Sequence, residues 1–368
     1  MRPGTPWNSW YANVADDSPL LRLLVGDVSA DGLGAEELSL LLAEARACGL
    51  LGRLADRLQK SPRVDLLPSN FREQLSATTV YCDGFRQDVR RELGHIRQAL
   101  SNLHAPVILL KGASYVLLGL PSADGRVFSD IDILVSNTHI AAAEAALMLG
   151  GWSTGKLTPY DQRYYRQWSH EIPPMTHRQR GTTIDLHHSL AMPTCRVRVD
   201  SARMISAAAP VSGQEFWWRL KDEDIVLHAA SHLLLNSEFH RGLRDIWDID
   251  LLYRHFTSIA PNFPDRLVSR AREVGLESIL AQALWLGSLF FRTPAPGHLL
   301  PDRTSPFSRL LARAASTRHP ETRPWGQKAA DLALMLREMY LRLPGKLLAV
   351  HLVHKLSAPF SGAEKEPV

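Results

Sequence analysis

The chain has 368 residues, enough for one large domain or two to three modest ones with ample core. Its 42 Lys+Arg against 38 Asp+Glu give a net charge of +4, which suits an anionic substrate but falls far short of the charge of a polynucleotide-coating protein. Three scattered cysteines, Cys48, Cys82 and Cys195, form neither a zinc spacing nor a disulfide framework and point to a reducing cytoplasm; the opening Met1-Arg2-Pro3-Gly4-Thr5 lacks the apolar stretch of a signal peptide.

Residues 36–60 and 70–104 carry apolar side chains at helical spacing (Leu38, Leu41, Leu42, Ala45; then Phe85, Val89, Leu93, Ile96, Leu100), with a break from Pro62 to Pro68. A short apolar run, Pro106-Val107-Ile108-Leu109-Leu110, ends in Lys111-Gly112 and passes into Tyr115-Val116-Leu117-Leu118, a strand opening into a helix. Such a turn presents free backbone N–H groups suited to phosphate, to which Lys111 adds a point charge and Ser114 a hydroxyl. The spacing of a P-loop is absent.

Val127 to Val135 reads as a strand. Side chains two apart on a strand share a face, so Asp130 and Asp132 point the same way while Ile131, Ile133 and Val135 enter the core. Carboxylates this close repel unless a cation sits between them, and the hard cation that takes one or two carboxylates plus substrate phosphates is Mg²⁺. Relief of that repulsion predicts that an amide at either position leaves the fold at least as stable. A third strand, Gly181 to His188, puts Asp185 on one face with Thr183 and His187, the latter read as support for Asp185. Three strand carboxylates and a glycine turn are the equipment of two-metal phosphoryl transfer.

Between these strands, Tyr160 to Arg180 interleaves aromatic and basic residues, a pattern of single-stranded nucleic-acid binding but more in keeping with an exposed β-hairpin at a sheet edge. Past Pro193 the strands are expected to give way to helices, Asp222–Asn236 and Gly242–His255 being clearest. His228 and His232 lie one turn apart, but Ala229 stands where a zinc protease motif needs glutamate, so they read as core or substrate-facing. Asp248-Ile249-Asp250 sits in a helical pattern, where residues two apart do not share a face, and Asp245 and Asp248 are expected to cap or to pair with arginines. Trp217-Trp218 suits core and rim packing. Residues 293–324 read as an irregular connector, 325–356 as helices kinked at Pro344-Gly345, and the tail after Pro359 as frayed. Charges interrupt Leu332 to Leu356, so a packed helix pair is favoured over a membrane-surface helix, and no stretch reaches the ~18 apolar residues of a membrane span.

These motifs together resemble the uncharacterised bacterial nucleotidyltransferases of the DNA polymerase β-like superfamily. The matching features are Leu110-Lys111-Gly112, then Arg126, then Ser129-Asp130-Ile131-Asp132-Ile133-Leu134-Val135. They continue with the Ala-rich Ala141–Leu149 before Gly151-Trp152, with His170-Glu171-Ile172-Pro173-Pro174, and with Ile184-Asp185-Leu186-His187. Leu41–Leu50 and Leu243–Asp250 extend the likeness from about residue 35 to about residue 260. Gly112-Ala113 departs from the usual Gly-Gly or Gly-Ser turn.

The resemblance implies an α+β fold with a polymerase β-like core, a small mixed sheet backed by helices. Residues 1–104 would form an N-terminal helical region, 105–200 the core, 201–300 a C-terminal helical region, and 301–368 the connector, terminal helices and tail. It implies transfer of a nucleoside monophosphate from a nucleoside triphosphate such as ATP to an acceptor hydroxyl, releasing pyrophosphate. Asp130 and Asp132 would hold two Mg²⁺ ions, Asp185 would complete one site, and Lys111, Gly112, Ser114, Arg126 and Ser129 would contact the nucleotide. A small molecule, sugar or peptide product is favoured as acceptor over nucleic acid. The alternatives are a catalytically silent nucleotide-binding or regulatory protein, or a toxin-like enzyme acting on tRNA or protein.

Overall fold

The apolar runs that flank the acidic motifs form the middle of a seven-stranded mixed sheet. The computed structural model describes residues 18–236, 239–300 and 305–357; the first residues, read above against a signal peptide, and the tail after Pro359 lie outside them. The strands are β1 (Val107–Leu109), β2 (Asp130–Leu134), β3 (Trp152–Thr154), β4 (Met175–His177), β5 (Thr183–His187), β6 (Ala209–Val211) and β7 (Gln214–Arg219), in the order β3-β4-β5-β2-β1-β7-β6. β1 is antiparallel to β2 and parallel to β7, and β2 is parallel to β5. The register sets Asp132 opposite Asp185 and Asp130 opposite Thr183. Ile131, Ile133, Leu134, Ile184 and Leu186 are buried, which leaves the acidic positions toward one end and face of the sheet centre.

Among the described residues, four N-terminal helices precede the sheet: α1 (Pro19–Leu24), α2 (Ala35–Ala47), α3 (Leu51–Gln59) and the long α4 (Ser69–Ala99). Within the sheet region come α5 (Lys111–Leu118), α6 (Ile140–Leu149), α7 (Pro159–Gln167) and α8 (Ser201–Ser206); α4 packs against α5 and α6, and α5 against β2. After β7 come α9 (Asp222–Leu235), α10 (Gly242–Ile259), α11 (Phe263–Glu273), α12 (Glu277–Phe291), α13 (Pro306–Ala315), α14 (Gln327–Arg342) and α15 (Gly345–Ser357). One apolar cluster runs from α1 through the sheet to α14, so the flanking helices and the sheet share a core. No helix among the described residues is long and apolar enough to cross a membrane, and α14 and α15 pack as a pair broken at Pro344. All three cysteines are unpaired and buried.

The structure corrects three expectations. Tyr160 to Arg180 is not a hairpin throughout: its first half is α7, because Thr158 Oγ1 caps the helix by accepting from Asp161 N at 3.1 Å and Pro159 sits at N1. Only β4 turns into β5 as a hairpin. The strands do not end at Pro193, since β6 and β7 join the sheet beside β1, with Trp217 buried and Trp218 partly so, as core and rim packing requires. The connector at 293–324 contains α13, started by Ser305 as N-cap and Pro306 at N1. In these places Pro, Ser and Thr serve as helix starts or strand residues.

One close approach locks the N-terminal helices to the sheet. A Cβ on Gly52 of α3 would lie 2.2 Å from the carbonyl oxygen of Gly125 and 2.6 Å from Cys82 Sγ, while Gly125 itself has φ +63°. Backbone contact here delivers the next residues, Arg53 and Arg126, to opposite sides of Asp248 on α10, and both guanidiniums are ion-paired with it. Gly52→Ala should therefore lower the unfolding free energy by about 1–3 kcal/mol, since backbone cannot yield as a side chain does. Urea denaturation checks this; an unchanged midpoint would mean that the helix and loop are not in contact.

Candidate active site and metal centre

The Asp-x-Asp alternation of β2 and the parallel register with β5 bring Asp130, Asp132 and Asp185 together, each offering a carboxylate oxygen within 4.8 Å of the others. Asp132 is only 3% exposed, whereas Asp130 and Asp185 are half-buried at the mouth. Ser129 Oγ donates to Asp130 Oδ1 at 3.2 Å.

Two neighbours hold Asp132. Lys111 Nζ lies 2.8 Å from Asp132 Oδ1 and His187 Nε2 lies 3.0 Å from the same oxygen. Burial alone would raise the Asp132 carboxyl, but the Lys111 ammonium and the His187 hydrogen bond outweigh it and hold the group well below the usual carboxylate range. Burial likewise disfavours the Lys111 ammonium, yet Asp132, with Asp130 and Glu171 farther off, raises it well above an ordinary lysine. Lys111 adopts φ +43°, uncommon for a residue with a side chain, in the turn that joins β1 to α5. Gly112 comes next, and a Cβ there would meet the Phe128 ring at 2.5 Å.

Asp185 has no such partner. Its Oδ1 is buried without a hydrogen bond among the described residues, and burial, then Asp132, Glu171 and Asp130, push its carboxyl up to about 9. An orphaned buried carboxylate oxygen beside two further carboxylates is a hard-oxygen donor set short of one positive charge, and a divalent cation fits it.

The trio opens into a cavity of about 270 Å³. Lys111, Gly112, Arg126 and Ser129 line it, but Ser114 does not: its hydroxyl is buried in α5 with no hydrogen-bond partner among the described residues. Arg126 is 8% exposed and committed to Asp248, with Asp245 at 3.7 Å. His187 supports Asp132 instead of Asp185, because a residue two further along β5 faces the end of β2. His228 and His232 are partly or wholly buried near Lys111, and burial first, then that ammonium, lowers both well below an ordinary histidine. Asp245 pairs with Arg244 and Asp248 with Arg53 and Arg126, as the helical reading requires.

Sequence reasoning missed Glu171, 3.4 Å from His187 Nε2 on the cavity wall, although His170-Glu171 was visible as a motif. It also missed Arg241, Arg244 and Arg342, which line the cavity and carry no local spacing signal; Tyr164 and Tyr165 of the aromatic–basic stretch line it too. The aromatic–basic stretch is largely consumed by packing: Tyr160 stacks on His354 at 4.0 Å, Arg166 grips Glu144, and Arg180 grips Glu92.

A mixed sheet presenting three clustered carboxylates beside a Lys-Gly helix start is consistent with a nucleotidyltransferase fold. The family described as uncharacterised nucleotidyltransferase matches residues 34–292, and the chain belongs to that family. No curated protein and no solved structure matches it.

A carboxyl raised from 3.8 to about 9 keeps, in the folded state, a proton that the unfolded chain has lost, so its contribution to stability is full below the lower value and declines up to the higher one. Without added metal the protein should lose thermal stability between about pH 5 and about pH 8, Asp185→Asn should flatten that decline, and a divalent cation should offset it most at the higher pH. Melting curves across pH test this; an equal slope in the variant would remove Asp185 as the cause.

Proposed function

We propose that the protein is a Mg²⁺-dependent nucleotidyltransferase of the polymerase β-like superfamily, moving a nucleoside monophosphate from a nucleoside triphosphate to an acceptor hydroxyl. The observation that carries this reading is the carboxylate trio on adjacent strands, lining a cavity flanked by the β1–α5 turn. In the transfer, the acceptor oxygen bonds to the α-phosphorus, the bond to the β-phosphate oxygen breaks, and pyrophosphate leaves. Mg²⁺ held by Asp130, Asp132 and Asp185 would offset the triphosphate charge and acidify the acceptor hydroxyl. Asp185, half-buried at the mouth, is placed to accept the hydroxyl proton. Asp132 is fixed by His187 and Lys111, and Lys111 acts as a stand-in counter-ion that a metal would release toward the phosphates. Gly112 and Ser129 border the same space. The intact trio favours a working enzyme over a silent nucleotide-binding relative, and pyrophosphate release distinguishes the two.

The two β2 carboxylates should separate in a mutational test, contrary to the expectation that removal of either leaves the fold unharmed. Asp130→Asn should reduce transfer by about a hundredfold or more while leaving the melting temperature unchanged. Asp132→Ala should also abolish transfer but cost about 3–5 kcal/mol, because it strands the part-buried Lys111 ammonium 2.8 Å away. Full metal-dependent activity in Asp130→Asn would overturn the assignment.

For the acceptor, a small metabolite, sugar or peptide hydroxyl is favoured over a polynucleotide, since Arg166 and Arg180 of the one aromatic–basic stretch are spent on carboxylates. Incubation with Mg²⁺ and α-labelled triphosphates should label a metabolite or peptide extract in preference to total RNA. Label mainly on RNA, with binding that collapses between low and moderate salt, would point instead to an RNA-modifying role.

A further inference from the structure

The cationic groups read for the triphosphate end are mostly committed elsewhere. Lys111 is bound to Asp132 and Arg126 to Asp248; Arg342, a further cation of the cavity lining, is paired with Glu338 at 2.6 Å. Ser114 is outside the cavity.

Arg241 differs. It is exposed on the single turn Phe239–Arg241 that feeds α10, lines the cavity, and has no hydrogen-bond or ion-pair partner among the described residues. Arg244 stands beside it and holds Asp245 at 2.9 Å. Behind them, Arg126 lines the same wall with its Nε buried and unpartnered. Burial first, and then the nearby Arg244, press the Arg53 and Arg126 guanidiniums below the usual arginine range, as expected where positive charge exceeds what Asp245 and Asp248 neutralise. Phe128 and Ser129 connect this wall to Asp130. At the same two residues and the two arginines the cavity opens into a groove of about 920 Å³ whose described lining contains no Asp or Glu.

We propose that Arg241, supported by Arg244, forms the anion subsite that receives the β- and γ-phosphates of the nucleoside triphosphate. The inference rests on the nucleotidyltransferase reading and locates its donor: the triphosphate tail runs from the carboxylate trio along Ser129 toward the start of α10, away from Tyr164 and Arg342. A guanidinium with no protein partner among the described residues can offer a bidentate grip to a phosphate, whereas those of Arg126 and Arg342 are held in ion pairs.

The test is calorimetry on the full chain with Mg²⁺ and three probes: a non-hydrolysable nucleoside triphosphate, the matching monophosphate, and inorganic tripolyphosphate. Arg241→Ala should weaken the triphosphate and tripolyphosphate by about tenfold or more while changing the monophosphate by less than about twofold, and Arg241→Lys should recover part of the loss. The melting temperature should not move, because the side chain is exposed and makes no contact that folding needs. Equal weakening of monophosphate and triphosphate, or no weakening of either, overturns the subsite. A defect confined to the KM for the acceptor overturns it too. Failure of the unaltered protein to bind triphosphate or tripolyphosphate would overturn the nucleotidyltransferase reading together with this one, whereas tight binding that Arg241→Ala leaves intact overturns this inference alone.

Discussion

Like-charge repulsion among Asp130, Asp132 and Asp185 is the constraint around which the site is built. Parallel pairing of β2 with β5 forces Asp132 and Asp185 side by side, and the pleat brings Asp130 to the same face. Two means of relief are visible. Asp132, the most buried, receives Lys111 and His187 and stays ionised; Asp185 receives neither and is driven toward its protonated form. A divalent cation would replace both devices at once, which couples metal occupancy to the protonation of Asp185 and to the position of Lys111.

A second charge cluster holds this arrangement in place from behind. Arg53 from α3, Arg126 from the loop before β2, and Asp245 and Asp248 from α10 meet where the backbones of Gly52 and Gly125 touch. Two separate parts of the chain, α3 and the loop before β2, are thereby fixed to one carboxylate of α10, Asp248, and the loop that leads into Asp130 is anchored just upstream of it. Breaking a buried pair of this kind costs more than making it gains, so the cluster specifies position more than it stabilises. It also leaves a surplus of guanidinium on the cavity wall, which Arg241 extends to solvent.

Much of the site was legible because it obeys short-range periodicity. Asp130 and Asp132 share a face through the two-residue repeat of a strand, and Lys111-Gly112 marks a strand-to-helix turn whatever the rest of the chain does. The pairing of Asp245 and Asp248 with arginines agreed with their helical setting. The helix starts at Thr158-Pro159 and Ser305-Pro306 escaped the sequence because the same residue types start helices and break them, and the choice depends on whether the next turn of chain can pack as a helix. β6 and β7 escaped notice because a strand is stabilised by its neighbours in the sheet, and β7 pairs with β1, about a hundred residues away in the chain, while β6 pairs only with β7.

Local sequence thus determined the carboxylates, the turn beside them and the family they resemble, since these depend on backbone geometry over a few residues. Tertiary structure alone decided which carboxylate Lys111 and His187 contact, that Ser114 faces away, that Arg126 is occupied by Asp248, and that Glu171, Arg241 and Arg342 share the cavity. These are contacts between residues far apart in sequence, set by sheet register and helix packing, and electrostatic energies depend on distance through space and on burial, neither of which a linear pattern encodes.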